Sequence, residues 1–402
     1  MAVETTSTLT SSIRTLYTSR YLRGAQRARV YDQLAAPVAQ VGVEKAARLG
    51  NTLQVNFLSA LTPGVTAISE TADLTPQTFT EATTTVSPTS RGEAIQFSEH
   101  LTMDVFTDYT AAAYEAVGEN QMESVEVLAI DSGLRGGFVI RPGAVARASL
   151  DAGSTYCLTE AGMSEAEVYL RSLKCPGWVG EGNPSWFAIM HPASFYDVRS
   201  QGNVVSIAQY QQGNIILANE LGRLGAFKLI VSPFAKVMAS AGAANASAVA
   251  TTLASAASKL DKTIVVSSTT NIASGDWLTI GTLESGTTMY PTNERVRVSA
   301  DTATSTTITI IGEGVNGGLR YAHASGATVS NADSVYPIAY GGPMSMAKLF
   351  DAPTGEFGMT VGPKTSGLAD QFHSLAWKFY GGYGRWVESW LLRGEYSTAL
   401  EA

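Results

Sequence analysis

Charge is scarce in this chain. Of its 402 residues only 15% are Asp, Glu, Lys or Arg, against about a quarter in an ordinary soluble domain. A surface short of charge implies cover by something other than water, and neighbouring copies of the chain are the simplest cover. Cysteine is scarcer still. Cys157 and Cys175 stand alone without a CxxC partner, too few for a disulfide framework or a zinc site, so a reducing cytoplasm is the default expectation. The four histidines, His100, His191, His323 and His373, are far apart in sequence. No HExxH, GxSxG or GxxxxGK[ST] occurs, so the usual local signatures of metalloproteases, serine hydrolases and phosphate loops are missing. Long apolar runs are absent as well. Met1 to Thr10 is polar, without an apolar signal core, and Ala235–Ser258 is apolar only through Ala mixed with Ser and Thr, which reads as a linker or weak helix. No membrane span and no membrane partner are expected.

Several smaller features resolve to structural readings. Gly381-Gly382-Tyr383-Gly384 lacks the Lys of a phosphate cradle and reads as a turn. His191-Pro192 after an apolar run reads as a strand-to-helix turn, with the ring capping a neighbouring carbonyl. Glu160, Glu165 and Glu167 fit a solvated helix face. Asn245-Ala246-Ser247 matches a glycosylation sequon, but nothing places the chain in a secretory route. Tyr290, Tyr321 and Tyr383 read as turn and core aromatics. Catalytic, cofactor-binding and metal residues are therefore expected to be none, and the chain is not expected to be an enzyme.

What the chain does have is length for two or three domains and abundant Gly, Ser, Thr and Ala, which favour β structure with many turns. Its net charge of −8 excludes a general nucleic-acid binder. Yet Ile13–Gly50 carries seven basic residues, including Arg14, Arg20, Arg23, Arg27 and Arg29, against Asp32 and Glu44. Two readings of this basic arm stay open: a face toward polyanion, or a solvated helix face contacting acidic neighbours.

Along the chain, Arg27–Ala36 reads as a helix ended by Pro37, and Glu44–Leu49 as another ended by Gly50. Residues 61–98 are rich in Thr, Ser and Pro. Phe79–Val86 and Glu93–Phe97 are β-prone there, and together suggest a long two-stranded excursion. Such a hairpin is marginal alone in water, so it is expected to lie on something. Residues 104–132 form the best helix, capped by Asp104 or Thr107, ended by Gly133, with Gly118 as a possible bend; at 1.5 Å per residue it spans about 40 Å. Residues 155–235 read as an α/β unit: a Ser164–Leu173 helix with a Ser164/Glu167 capping box, a Trp186–Met190 strand, a Ser194–Arg199 helix and a Phe227–Val231 strand. Four β-prone runs, Thr263–Val266, Trp277–Ile280, Glu294–Ala300 and Thr306–Ile311, form a small all-β module inserted into a loop. Met344–Phe350 reads as helical, Met359–Val361 and Ala376–Tyr380 as strands, and Glu388–Tyr396 closes the chain.

Three stretches carry a resemblance. They are Thr62-Pro63-Gly64-Val65-Thr66 with Phe97-Ser98-Glu99; Met190-His191-Pro192 and Tyr196–Arg199 followed by Asn219-Glu220-Leu221-Gly222-Arg223-Leu224-Gly225; and Ala376-Trp377-Lys378 through Glu395-Tyr396. In their order the chain resembles the major capsid proteins of tailed bacteriophages with the Hong Kong ninety-seven fold, and within them the phage N-four-type capsid family. The resemblance implies an α+β phage major capsid fold. It implies an N-terminal arm at 1–60, an extended loop at 61–98, a peripheral domain with spine helix at 99–154, and an axial domain at 155–235. An inserted β domain would follow at 236–335, the axial domain would continue at 336–352, and peripheral strands would fill 353–402. Tyr321–Ala327 resembles the ending of other phage β modules.

The implied function is structural: hexamers and pentamers of an icosahedral head around double-stranded DNA. Arg14, Arg20, Arg23, Arg27 and Arg29 would face DNA by non-specific contact. Phe79, Val86, Arg91, Ile95 and Phe97 would make the intersubunit contacts of the loop. Scaffolding, portal and decoration proteins are the further partners implied, with assembly in the host cytoplasm and residence in the virion. Residues 61–98 contain no Lys, so no isopeptide cross-link from this loop is expected, and the short arm implies a separate scaffold. The rival expectations are an encapsulin-like compartment shell and a carbohydrate-binding or adhesin protein.

Overall fold

The computed structural model describes residues 30–37, 53–65, 76–99, 101, 109–150, 155–180, 183–201, 205–206, 220–239, 250–282, 292–299, 306–314, 317–330, 334–350, 359–366 and 371–401. The chain order begins with β1 (Ala35–Pro37), β2 (Leu53–Leu58), β3 (Glu81–Val86), β4 (Thr89–Ser98), α1 (Tyr109–Leu134) and β5 (Val139–Ile140). Next come α2 (Glu160–Ser172), β6 (Trp178–Gly180), β7 (Asn183–Met190), α3 (Pro192–Ser200), β8 (Val205–Ser206), β9 (Glu220–Leu224), β10 (Phe227–Val231) and β11 (Met238–Ala239). The inserted segment holds β12 (Ala250–Thr252), β13 (Thr263–Val265), β14 (Trp277–Ile280), β15 (Glu294–Val298), β16 (Thr307–Gly312) and β17 (Thr328–Ser330). The chain ends with β18 (Ser334–Gly341), β19 (Met346–Phe350), β20 (Met359–Ser366), β21 (Phe372–Arg385) and β22 (Leu391–Tyr396).

A nine-stranded mixed sheet forms the centre, in the order β5-β22-β18-β7-β10-β9-β8, with β11 added to β18 and β6 to β7. Its middle strands read as unbroken apolar runs because both faces are covered. From β7, Trp186, Ala188 and Met190 point to the side packed by Met163, Ala166 and Leu170 of α2 and Val198 of α3. Phe187 and Ile189 point the other way, onto Ala129, Ile130 and Leu134 of α1 and onto Tyr31 and Leu34. Each fully buried Leu, Ile, Val, Phe or Met among them contributes roughly 1.5–3 kcal/mol.

A second sheet, β1-β19-β21-β20, also holds β4 against β21. It packs Phe97, Leu375, Trp377 and Phe379 on Ala113, Tyr114 and Val117 of α1, and Trp377 Nε1 donates to Asn120 Oδ1 at 2.8 Å. The helix thus joins the two sheets: its first half lies on one, its last half on the other. It runs uninterrupted through Gly118.

The third sheet, β12-β17-β14-β15-β16-β13, curls on itself. A bridge between Leu253 and Val266, with Ala254 N donating to Val265 O at 2.8 Å and Ser267 N to Thr252 O at 2.9 Å, joins its two outer strands. The result is a small closed barrel around Ile264, Leu278, Ile280, Val296, Ile308, Ile310 and Val329. It lies between β11 and β18, which pair with each other through Met238↔Val335 and Ala239↔Ser334. The barrel therefore leaves and re-enters the central sheet at one point.

Several sequence expectations change. Instead of a helix over Arg27–Ala36, the described part, 30–37, is a short 3-10 turn at Asp32–Leu34 and then β1. Pro37 is tolerated there because β1 is an edge strand. The cap of α2 is Thr159, whose Oγ1 accepts from Gly162 N at 3.2 Å, so Ser164 lies inside the helix. Met344–Phe350 holds a strand, β19, paired with β21. Gly381–Gly384 is no turn but the C-terminal part of β21. The short α3 starts at Pro192, and His191 caps it by accepting the Ala193 amide on Nδ1 at 3.2 Å, which replaces the expected bond to a carbonyl. The caps Asp104 and Thr107 and the Glu44–Leu49 helix lie outside the described residues.

The segment boundaries also shift. β3 pairs with β2 and β4 with β21, so Phe79–Val86 and Glu93–Phe97 are not one hairpin. β19 belongs to the sheet of β21, whereas β22 joins the central sheet beside β18. The division at residue 352 therefore does not follow the sheets.

Candidate assembly surfaces

The β2–β3 ribbon pairs over six residues, from Leu53↔Val86 to Leu58↔Glu81, and among the described residues no other strand pairs with it. Its root is fixed. Val86 packs with Ala347, Leu349 and Trp386, and Thr84 Oγ1 donates to Trp386 O at 3.0 Å. The root crosses β21 where two glycines stand: a Cβ at Gly382 would lie 2.7 Å from Ser87 O, and one at Gly384 2.5 Å from Val86 Cγ2.

The far end is closed by Thr62 and Gln77. Thr62 N donates to Gln77 Oε1 at 2.8 Å, and Gln77 Nε2 donates back to Thr62 O at 3.1 Å. Here Leu58, Leu61, Val65 and Phe79 are exposed by 62%, 49%, 89% and 61%. A paired ribbon without a core behind it is marginal in water, and clustered exposed apolar side chains mark an interaction surface.

The five loop residues expected from sequence therefore separate. Phe79 is exposed on the ribbon, and Arg91 is exposed on β4 with Nε donating to Thr89 Oγ1 at 3.1 Å. Ile95 is half-buried, and Val86 and Phe97 are buried in the chain's own clusters; these two are corrected from contact residues to core residues. Arg14, Arg20, Arg23, Arg27 and Arg29 lie outside the described residues. Leu58 falls outside the expected loop, which starts at residue 61, although it belongs to the ribbon. The alternation Leu53-Gln54-Val55-Asn56-Phe57 is the signal for a strand there.

The barrel is seated on the body through polar contacts. Arg320 Nε meets Glu123 Oε1 of α1 at 3.0 Å, and its guanidinium lies over Phe234 at 4.6 Å. Glu294 takes the Arg320 amide on Oε2 at 2.8 Å and His323 Nε2 on Oε1 at 2.7 Å. Glu313 lies 4.0 Å from His191 Nε2, and burial raises its carboxyl. Burial and the nearby Arg295 charge push His191 down to about 3, so its ring is neutral, as its role as an acceptor for Ala193 requires. His373 packs on Phe97 at 5.7 Å. His191, His323 and His373 are thus separate, and among the described residues no group of three or more His, Cys, Asp or Glu is placed to hold a metal ion. No described helix is long and apolar enough to cross a membrane.

A second polar cluster lies under the C-terminal end of α1. Glu395, fully buried, meets Arg141 Nε at 2.7 Å, Arg147 at 2.5 Å and Arg393 Nε at 2.9 Å. Arg393 also donates to Leu134 O at 2.5 Å, satisfying a carbonyl at the helix C-terminus, where positive charge is favoured. Burial would raise the Glu395 carboxyl, but the hydrogen bond and charge of Arg147, the charge of Arg393 and the hydrogen bond of Arg141 hold it below its ordinary value. Burial, opposed by Glu395 and reinforced by the other guanidiniums, pushes Arg393 down to about 10.

The architecture has counterparts among solved structures. The capsid of Ralstonia phage GP4 aligns with a TM-score of 0.54 at 10% identity, over 87% of this chain and 84% of that one. The capsids of cyanophages P-SCSP1u and Pam1 score 0.46 and 0.45 at 9% and 12% identity. They align over 92% and 88% of this chain and 89% and 86% of theirs; with scores below 0.5, neither of these two decides the fold. No family model and no curated protein matches the sequence. The chain thus has a phage-capsid fold. The particular counterpart that establishes it is the GP4 capsid, and at that identity the likeness is one of fold.

Proposed function

We propose that this protein is the major capsid protein of a tailed bacteriophage, a non-enzymatic subunit that assembles into hexamers and pentamers of an icosahedral head around double-stranded DNA. The observation that carries the reading is the β2–β3 ribbon, rooted on β21 and bearing Leu58, Leu61, Val65 and Phe79 exposed on a phage-capsid fold. A rigid two-sheet body joined by α1, with one apolar projection, suits a lattice in which the same contacts recur at slightly different angles. The central sheet with α2 and α3 takes the axial role, and the β21 sheet with α1 the peripheral role. The ribbon is the extended loop. The basic segment holding Arg14, Arg20, Arg23, Arg27 and Arg29 faces the packaged DNA through phosphate charge alone. Scaffolding, portal and decoration proteins are its further partners, host cytoplasm the place of assembly and the virion its final location.

The test is expression with and without the neighbouring phage proteins, followed by electron microscopy and sedimentation. Closed shells, or discrete pentamers and hexamers, are expected. A chain that stays monomeric even with its scaffold present overturns the reading. Shells filled with protein cargo instead of nucleic acid would turn it toward the encapsulin-like alternative.

A further inference from the structure

Among the described residues, Arg141, Arg147 and Arg393 all meet the one carboxylate of Glu395. Beside it opens a cleft of about 360 Å³, lined by Phe138, Val145, Tyr169 and Leu392 together with Arg141 and Glu165. Arg141 keeps 26% of its side chain exposed, and among the described residues only its Nε is engaged, on Glu395. Phe138 and Tyr169 are exposed by 44% and 45%. The charged groups lining the cleft are Arg141 and Glu165, and among the described residues the Arg141 guanidinium beyond its Nε is open to a second carboxylate. The cleft is therefore fitted to one carboxylate flanked by apolar side chains; a phosphodiester backbone would leave Phe138, Val145 and Tyr169 unused.

The chain itself presents that combination. On the ribbon, Leu58 stands directly opposite Glu81, and Phe79 lies two residues ahead of Glu81, where β3 begins. All three are exposed, and among the described residues Glu81 has no ion pair. We propose that the Arg141 cleft is the receptor for the ribbon of a second copy of this chain, with Glu81 meeting Arg141 and with Phe79 and Leu58 seated against Phe138, Val145 and Tyr169. Aromatic and arginine anchors of this kind commonly dominate an interface, and the charge pair fixes its register. The inference rests on the ribbon being an intersubunit element, and it adds the surface that receives it.

Charge reversal tests it in the full-length chain. Glu81→Arg and Arg141→Glu, made singly, are each expected to lower the yield of closed shells by about tenfold or more, and the double reversal to restore it. Tyr169→Glu, on the exposed rim, is expected to act like Arg141→Glu and guards against a folding defect at Arg141. Circular dichroism and sedimentation of the unassembled chain establish that each variant is folded. Single variants that assemble like the parent, or a double variant no better than either single, overturn the proposal. Replacing residues 59–80 by a short turn separates the two readings. If that deletion abolishes assembly while the reversals are silent, the ribbon is an assembly element whose receptor lies elsewhere.

Discussion

Glu126, in the middle of α1, accepts the backbone amide of Tyr31 on Oε1 at 2.9 Å. The same oxygen takes the Val30 amide at 3.0 Å. Its other oxygen, Oε2, is buried, with no hydrogen-bond partner among the described residues. This carboxyl is the point at which the chain leaving the N-terminal segment is fastened to the helix, and Asp32 extends the fastening through Tyr383 Oη at 2.7 Å and Lys348 Nζ at 3.4 Å.

Burial, opposed by the amides of residues 30–32 and reinforced by the Asp32 charge, raises Glu126 from 4.5 to about 7. Between those values the folded chain holds a proton that the unfolded chain has released, so stability falls as pH rises from 4.5 to 7. Above 7 the loss is complete, at about 3 kcal/mol by linkage. Glu126→Gln keeps the acceptor and removes the titration. The difference between parent and variant denaturation curves from pH 4.5 to 8 is expected to show the variant gaining stability relative to the parent as pH rises; a flat difference refutes the assignment.

Glu395 predicts the opposite pH dependence. Its carboxyl is held below its ordinary value, so its contribution is complete above the unfolded pKa and is lost as pH falls through the folded one. Glu395→Gln leaves Arg141, Arg147 and Arg393 without their shared carboxylate. It is expected to cost about 3–5 kcal/mol near neutrality, with the gap to the parent closing in acid. Urea denaturation at pH 7 and pH 4 measures both.

How far the sequence shows this fold differs from element to element. The buried Trp186–Met190 and Phe227–Val231 runs, the long Ala-rich helix and four of the six strands of the inserted module are visible because period, length and bounding glycines agree. The strand β19 is not: Met346-Ala347-Lys348-Leu349-Phe350 has residues of high helix propensity, and pairing with β21 outweighs that preference. Gly381–Gly384 looks like a turn because glycine usually marks one, whereas here it clears space for the crossing at Val86 and Ser87. Of the expected contact residues, Val86 and Phe97 are indistinguishable in sequence from Phe79. Tertiary position separates core from surface: Val86 sits at the ribbon root against Trp386 and Phe97 on β4 against α1, while Phe79 lies at the ribbon's far end. The Glu395 cluster, spread over residues 141 to 395, has no local signal at all.

The glycine crossing makes a discriminating prediction. Gly384→Ala places a methyl against the Val86 side chain, and Gly382→Ala places one against the Ser87 carbonyl. Each is expected to cost about 1–3 kcal/mol by overpacking and to raise proteolysis at the ribbon root. Val86→Ala added to Gly384→Ala makes room and is expected to recover part of the loss. Added to Gly382→Ala it recovers none, because the obstructing atom is backbone. Equal recovery in both pairs would mean that the ribbon does not cross β21 here.

Barrel attachment rests on the contact between Arg320 and Glu123, 3.0 Å apart with side chains 16% and 25% exposed. The barrel has its own core and joins the body through two adjacent strands, so loss of this contact should loosen its seating without unfolding it. Arg320 also lies over Phe234, which makes the two single substitutions unequal. Glu123→Ala removes the ion pair and the hydrogen bond with Tyr321, while Arg320→Ala removes the ion pair and the contacts over the Phe234 and Tyr321 rings and is the more costly. A double-mutant cycle with Arg320→Ala and Glu123→Ala is expected to give a coupling of about 0.5–3 kcal/mol. Hydrogen exchange should rise in residues 234–237 and around Arg320 while the barrel strands stay protected. Exchange spreading through β14 and β15 in either variant would mean instead that the barrel depends on the body for its own fold.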